Sequence, residues 1–157
     1  MRRIIVLDLI NSSGVLNRIT GMLSKRNFNI HSITGGPSES GTTKMTVVVD
    51  IPKSLGAEQL TKQLNKLIDV LKVTDITEES FVERELGMFK VNVSRKERSE
   101  IEAIVRPFRA RVLDISNDSM IIEVTGVPSK IDTFFDLIKP YGIEAESRTG
   151  ITAFTRG

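Results

Sequence analysis

The residues best suited to bind something lie in one short turn, Asn11-Ser12-Ser13-Gly14, between an apolar run and an amphipathic segment. A helix starting after Gly14 would present unpaired backbone N–H groups and the positive end of its dipole. That combination attracts anions. A glycine at the mouth lets a ligand approach the backbone without meeting a Cβ. Asn11 closes the first apolar run and Asn29 opens the next. Their neutral amides could bond the ammonium and carboxylate of an amino acid, with the Gly14, Val15 and Leu16 amides taking the carboxylate. Val15 and Ile30 would add a small apolar wall, which suits an aliphatic side chain. Alone, Asn-x-x-Gly before a helix is usually only a turn. The conjunction with Asn29 and Ile30 raises it to a candidate seat. It assumes that these two segment ends lie close together.

Other chemistry is thin. The single histidine, His31, falls inside an expected strand with no obvious carboxylate partner, so a strand residue is a better reading than a general base. Asp132 and Asp136 lie four residues apart and read as a solvated helix face rather than metal ligands. With no cysteine, disulfides, thiolate metal sites and cysteine nucleophiles are excluded. The same absence fits a reducing, cytoplasmic setting.

The elements that must position the turn follow from periodicity. Residues 3–10 are apolar at both parities, as in a strand buried on both faces. In residues 14–26, Val15, Ile19, Met22 and Leu23 share a helical face, with Ser12 or Ser13 as cap. Strands are expected at 29–34, 44–51 and 70–76, with a loop at 35–41. A second helix at 57–68 would bury Leu60, Leu64, Leu67 and Ile68. The order is β-α-β-β-α-β, a split βαβ or ferredoxin-like unit. Residues 77–82 read as a linker. The order then repeats: a strand within 83–93, a helix at 96–108 with Ser94 as cap, a hairpin around Asn117-Asp118, and a helix at 129–139. A last strand region runs from 143 to 154, with a bulge near Gly150.

The expected fold class is therefore α+β, two ferredoxin-like βαββαβ domains over 1–76 and 83–157. Helices cover one face of such a sheet. The apolar second face of 3–10 and 45–49, or an edge such as 29–34, then calls for a partner, most simply another subunit.

Net charge is +2, with +4 in residues 1–76 and −2 in residues 77–157. That is too weak an imbalance to argue for nucleic acid. RNA-recognition domains share this strand order but carry aromatics on the third strand. Here KMTVVVD and MIIEVTG have none. The Arg106, Arg109 and Arg111 cluster is equally explained by a helix end or a protein partner. No apolar run reaches the roughly 18 residues of a membrane span, and Asp8 interrupts the one that resembles a secretion signal.

Across its whole length the chain resembles a known family. NSSGVLNRITGMLSKRNFNIHSIT followed by KMTVVVD is similar to the ACT domain of acetolactate (acetohydroxyacid) synthase small subunits. LIDVLKVTDI, VERELGMFKV, FRARVLDIS, KIDTFFDLIKPYGI and RTGITAFTRG resemble the remainder, including its C-terminal domain. Two mild departures are Thr43-Lys44, where the family often has Ser-Arg, and the 35–42 loop. The resemblance implies a non-catalytic regulatory subunit that binds no cofactor or metal itself. Its catalytic large subunit would use thiamine diphosphate, Mg²⁺ and FAD to join pyruvate with pyruvate or 2-oxobutyrate. The small subunit would raise that activity and confer feedback inhibition by valine or another branched-chain amino acid. It also implies a homodimer paired through its ACT domains, with valine at the interface. Carried over by position, the effector residues are Asn11, Gly14, Val15, Leu16, Asn29 and Ile30.

Overall fold

The computed structural model describes all 157 residues. The chain separates into two compact units, one of Met1–Val82 with Ile151–Gly157 and one of Glu83–Gly150. Each has the expected ferredoxin-like order of strands and helices.

In the first unit, β1 (Arg2–Ile10), β2 (Asn29–Pro37), β3 (Thr42–Asp50) and β4 (Val70–Asp75) form an antiparallel sheet ordered β2-β3-β1-β4. Two helices, α1 (Val15–Lys25) and α2 (Ala57–Asn65), lie on one face. Ile5, Leu7 and Leu9 of β1 alternate inward and meet Ile19, Leu23, Leu60 and Leu64 in a dry core. Leu60 and Leu64 are buried as the period requires, but Ile68 is not: it lies beyond α2 and is 87% exposed. The helix stops at Asn65, so the turn before β4 no longer follows the helical period.

The second face of this sheet is covered differently from the expectation. Val6 and Val48 are nearly inaccessible, yet no second chain is needed to explain it. The chain's last strand, β9 (Thr152–Thr155), returns to this unit. Its Ala153 packs with Val6, Ile76, Ile4 and Phe81. The Ala153 amide donates to Thr46 Oγ1 (3.3 Å), and the Arg156 amide donates to the Ser80 carbonyl (2.8 Å). By their packing contacts, residues 151–157 group with the first unit. The expected linker also shrinks, because β5 begins at Phe81 (Phe81–Asn92).

In the second unit, β6 (Arg111–Ile115), β7 (Ser119–Gly126) and β8 (Ile143–Arg148) join β5 in the order β6-β7-β5-β8. The helices are α3 (Arg98–Val105) and α4 (Pro128–Ile138), the latter followed by a 3₁₀ turn. Phe134 is fully buried against Phe89 and Phe108, with ring centroids 5.9 and 5.3 Å apart. Ser94 does not cap α3 with its side chain. Instead Glu97 reaches back and accepts from the Ser94 amide (2.9 Å) and hydroxyl (2.6 Å), half of a capping box. β9 (Thr152–Thr155) pairs with β5 as β8 does, and the seven steps from Thr149 to Arg156 lie opposite the six from Leu86 to Ser80, so the expected irregularity near Gly150 is present. Gly150, at φ 79°, supplies the left-handed residue at that irregularity.

A candidate ligand turn braced by an arginine

The turn after β1 is built from its backbone. Gly14 sits at the helix mouth in the left-handed region, φ 80° and ψ 3°. The Val15 amide donates to the Ser12 carbonyl (3.3 Å), and the Arg18 amide closes the first α-turn on the Gly14 carbonyl (3.0 Å). The Leu16 and Asn17 amides, in that first turn, have no intrahelical acceptor. No serine caps the helix.

Ser12 is occupied elsewhere, and this the sequence reading missed. Its hydroxyl donates to Asp69 Oδ1 (2.6 Å), just before β4. Arg18, one turn into α1, donates through Nε to Asp69 Oδ2 (2.6 Å). Its Nη2 donates to Ser12 Oγ (3.1 Å) and to the Ser13 carbonyl (3.2 Å). The Asp69 carbonyl accepts from the Ile10 amide (2.8 Å). Asp69 is 7% exposed. Its guanidinium partner, and then the Ser12 hydroxyl, hold its carboxyl below the usual carboxylate range. A polar brace thus ties the end of β1, the turn, α1 and the start of β4 together. Only the tertiary fold reveals it, since Asp69 lies 51 residues from Arg18.

The six candidate residues do not converge within one chain. Asn11, Gly14 and Leu16 are exposed around the turn, while Val15 is half-buried and leans on the core. Asn29 and Ile30 lie at the other end of the sheet. The register pairs Ile10 with Thr42 and Asn29 with Asp50 across β3. Eight residue steps along β3 separate those positions, about 27 Å at the usual strand rise. The assumption that the two asparagines lie close in one chain is therefore wrong. The cause is topological: α1 carries the chain back down the sheet before β2 begins. Asn29 and Ile30 start β2, which is the edge strand and has no neighbour on its outer side in this chain.

The remaining reactive residues stay apart. His31 is exposed and lies at an irregularity of β2, with Nδ1 3.4 Å from Arg2 Nη2. Arg2 binds Asp50 and lowers that carboxyl's pKa through the bond. Asp132 accepts from Arg148 (2.6 Å), which also grips the buried Glu85 through two bonds (3.0 and 2.7 Å). No three His, Asp or Glu side chains gather as a metal site would require, and no helix is long and apolar enough to cross a membrane.

Comparison with known proteins agrees with this architecture. The family model for the acetohydroxyacid synthase small subunit-like ACT domain matches residues 5–72. The model for the small subunit of acetolactate synthase matches residues 84–157. The chain is 54% identical to the acetolactate synthase small subunit of Bacillus subtilis, over all of this chain and 92% of that one. It is 45% identical to a probable acetolactate synthase small subunit of Archaeoglobus fulgidus, over all of this chain and 98% of that one. The crystal structure of the Thermotoga maritima small subunit superposes with a TM-score of 0.89 at 34% identity, covering all of this chain and 98% of that one. Fold, full-length identity and both family models agree, and the chain belongs to the acetolactate synthase small subunit family, the regulatory partners that carry an ACT domain.

Proposed function

We propose that this chain activates an acetolactate synthase catalytic subunit and makes it sensitive to valine, by binding valine between two copies of its first unit. The catalytic subunit would supply the thiamine diphosphate, Mg²⁺ and FAD chemistry; this chain would supply none. One observation carries the reading: the turn at Asn11–Leu16 and the strand start at Asn29–Ile30 lie at opposite ends of one sheet. A single small ligand can touch both sets only if they come from different chains. Two first units pairing along their open β2 edges would bring the turn of one toward the strand start of the other.

The Val15 amide is spent on the Ser12 carbonyl, so in that seat the Leu16 amide and the helix dipole hold the carboxylate, the asparagine amides hold the ammonium, and Val15 and Ile30 border the side chain. Regulation follows by linkage. Valine shifts the synthase only by binding one arrangement of the paired units better than another, and a coupling of roughly 1–3 kcal/mol suffices. The test is to titrate the pure protein with valine, leucine and isoleucine in a calorimeter, then to assay the large subunit with and without this chain. Saturable valine binding and a valine-sensitive rise in activity are expected. No binding of any of the three, or no effect on the large subunit, defeats the reading.

A further inference from the structure

The guanidinium of Arg18 has an unused edge at the helix mouth. Arg18 offers five N–H donors in a planar fork. Nε is bonded to Asp69, and Nη2 to Ser12 and Ser13. These bonds fix the plane of the group. Nη1 donates to no acceptor in the chain. It lies 3.0 Å from the point that a Cβ on Gly14 would occupy. Any side chain at position 14 would cover this edge, and glycine leaves it open.

We propose that Arg18 contacts the ligand directly, donating from Nη1 to the carboxylate of an α-amino acid that also meets the amides of the turn. This rests on the effector-binding reading above and adds a residue to it. The chemistry is consistent on three counts. A carboxylate accepts well from a guanidinium edge, and such charge-assisted bonds are stronger than neutral ones. Asp69 is held on the opposite side of the fork, so it orients Arg18 without blocking Nη1. Arg18 is 42% exposed at its side chain, which leaves the edge open to a ligand. A ligand lacking a carboxylate gains nothing from this contact, so the arginine would select amino acids over amines of the same shape.

The alternative is that Arg18 only braces the turn. Calorimetric titration of the full chain with valine separates the two. Arg18→Gln keeps a donor for Asp69 but removes the Nη1 edge, and should weaken valine by about ten- to a hundredfold. Asp69→Asn and Ser12→Ala loosen the brace but leave the guanidinium, and should each weaken valine by less than about fivefold. If Arg18→Gln does not fold, Arg18→Lys serves instead: it keeps a charge without the fork, and its loss should still exceed that of Asp69→Asn. Unchanged affinity in the folded Arg18 variant overturns the proposal. So does an Asp69→Asn variant that loses as much as the Arg18 variant. A wild-type chain that binds none of the three branched-chain amino acids overturns the effector reading itself, which is a different result.

Discussion

Replacing Gly14 with aspartate should abolish valine binding while leaving the chain folded, and the two effects can be sized separately. Gly14 stands at φ 80°, where a side chain in the left-handed region costs about 1–2 kcal/mol, with aspartate near the lower end. In a unit of this size about 1 kcal/mol lowers the melting temperature by roughly 4–8 °C. The added Cβ would stand 3.0 Å from Arg18 Nη1, a side-chain end that need give only a few tenths of an ångström, so the chain still folds. The new carboxylate would then rival Asp69 for the guanidinium. On the binding side, it would fill the space where the ligand's carboxylate must sit. Losing two charge-assisted hydrogen bonds of about 1.5–3 kcal/mol each weakens binding by roughly a hundredfold to ten-thousandfold. Gly14→Ala is the control, carrying the backbone strain without the charge. It should lower the melting temperature to a similar degree and, because its methyl crowds Arg18 Nη1, weaken valine by about tenfold, well short of the aspartate. Thermal melts and calorimetric titrations of both variants read the two quantities. A folded Gly14→Asp variant that binds valine within about threefold of the wild type would refute the assignment of the turn. Equal losses in the two variants would refute the charge argument.

Other outcomes follow from the packing and the polar contacts. Asp69 has a depressed folded pKa, so its contribution to stability is present above the unfolded value near 4 and is lost as pH falls through the folded one. The melting-temperature gap between wild type and Asp69→Asn should therefore be widest above about pH 5 and narrow towards pH 3; a gap that widens on acidification contradicts the brace. Phe134→Ala empties the middle of the second core and should cost about 3–5 kcal/mol in urea unfolding, while a loss below about 1 kcal/mol would mean the ring cluster is not packed as described. Ala153→Glu puts an unpaired charge where only 2% of the residue is exposed, against Val6 and Ile76. It should speed hydrogen exchange in β1 and β3 and leave β7 protected; equal loosening of β7 would contradict the place of the last strand in the first unit.

Much of the fold could be read from local signals. The 3.6-residue stripe of Ile19 and Leu23 and the alternation of Ile5, Leu7 and Leu9 each fix an element and its buried face. What could not be read depends on contacts distant in sequence. The final strand reads as a continuation of β8 and does pair β5 as β8 does, but nothing local in Ile151–Thr155 says that Ala153 will pack on Val6 and Ile76. The apolar second face of β1 and β3 correctly called for a cover, but the cover is the chain's own end and Phe81. The serines before α1 looked like caps because short hydroxyls usually are, yet Asp69 offers Ser12 a charged acceptor. For the candidate seat, residue types were legible and distances were not. Asn11 and Asn29 are separated by one helix in sequence, which invites placing them together. The antiparallel register puts them at opposite ends of the sheet.

That separation makes the shared seat directly testable with mixed dimers, purified through two different tags and titrated with valine. In one dimer Gly14→Asp is on one chain and Asn29→Ala on the other. In the second dimer both substitutions are on the same chain and its partner is wild type. If each seat takes its turn from one chain and its strand start from the other, the first dimer keeps one intact seat and binds one valine, and the second binds none. If each chain held a complete seat of its own, the first dimer would bind none and the second would bind one.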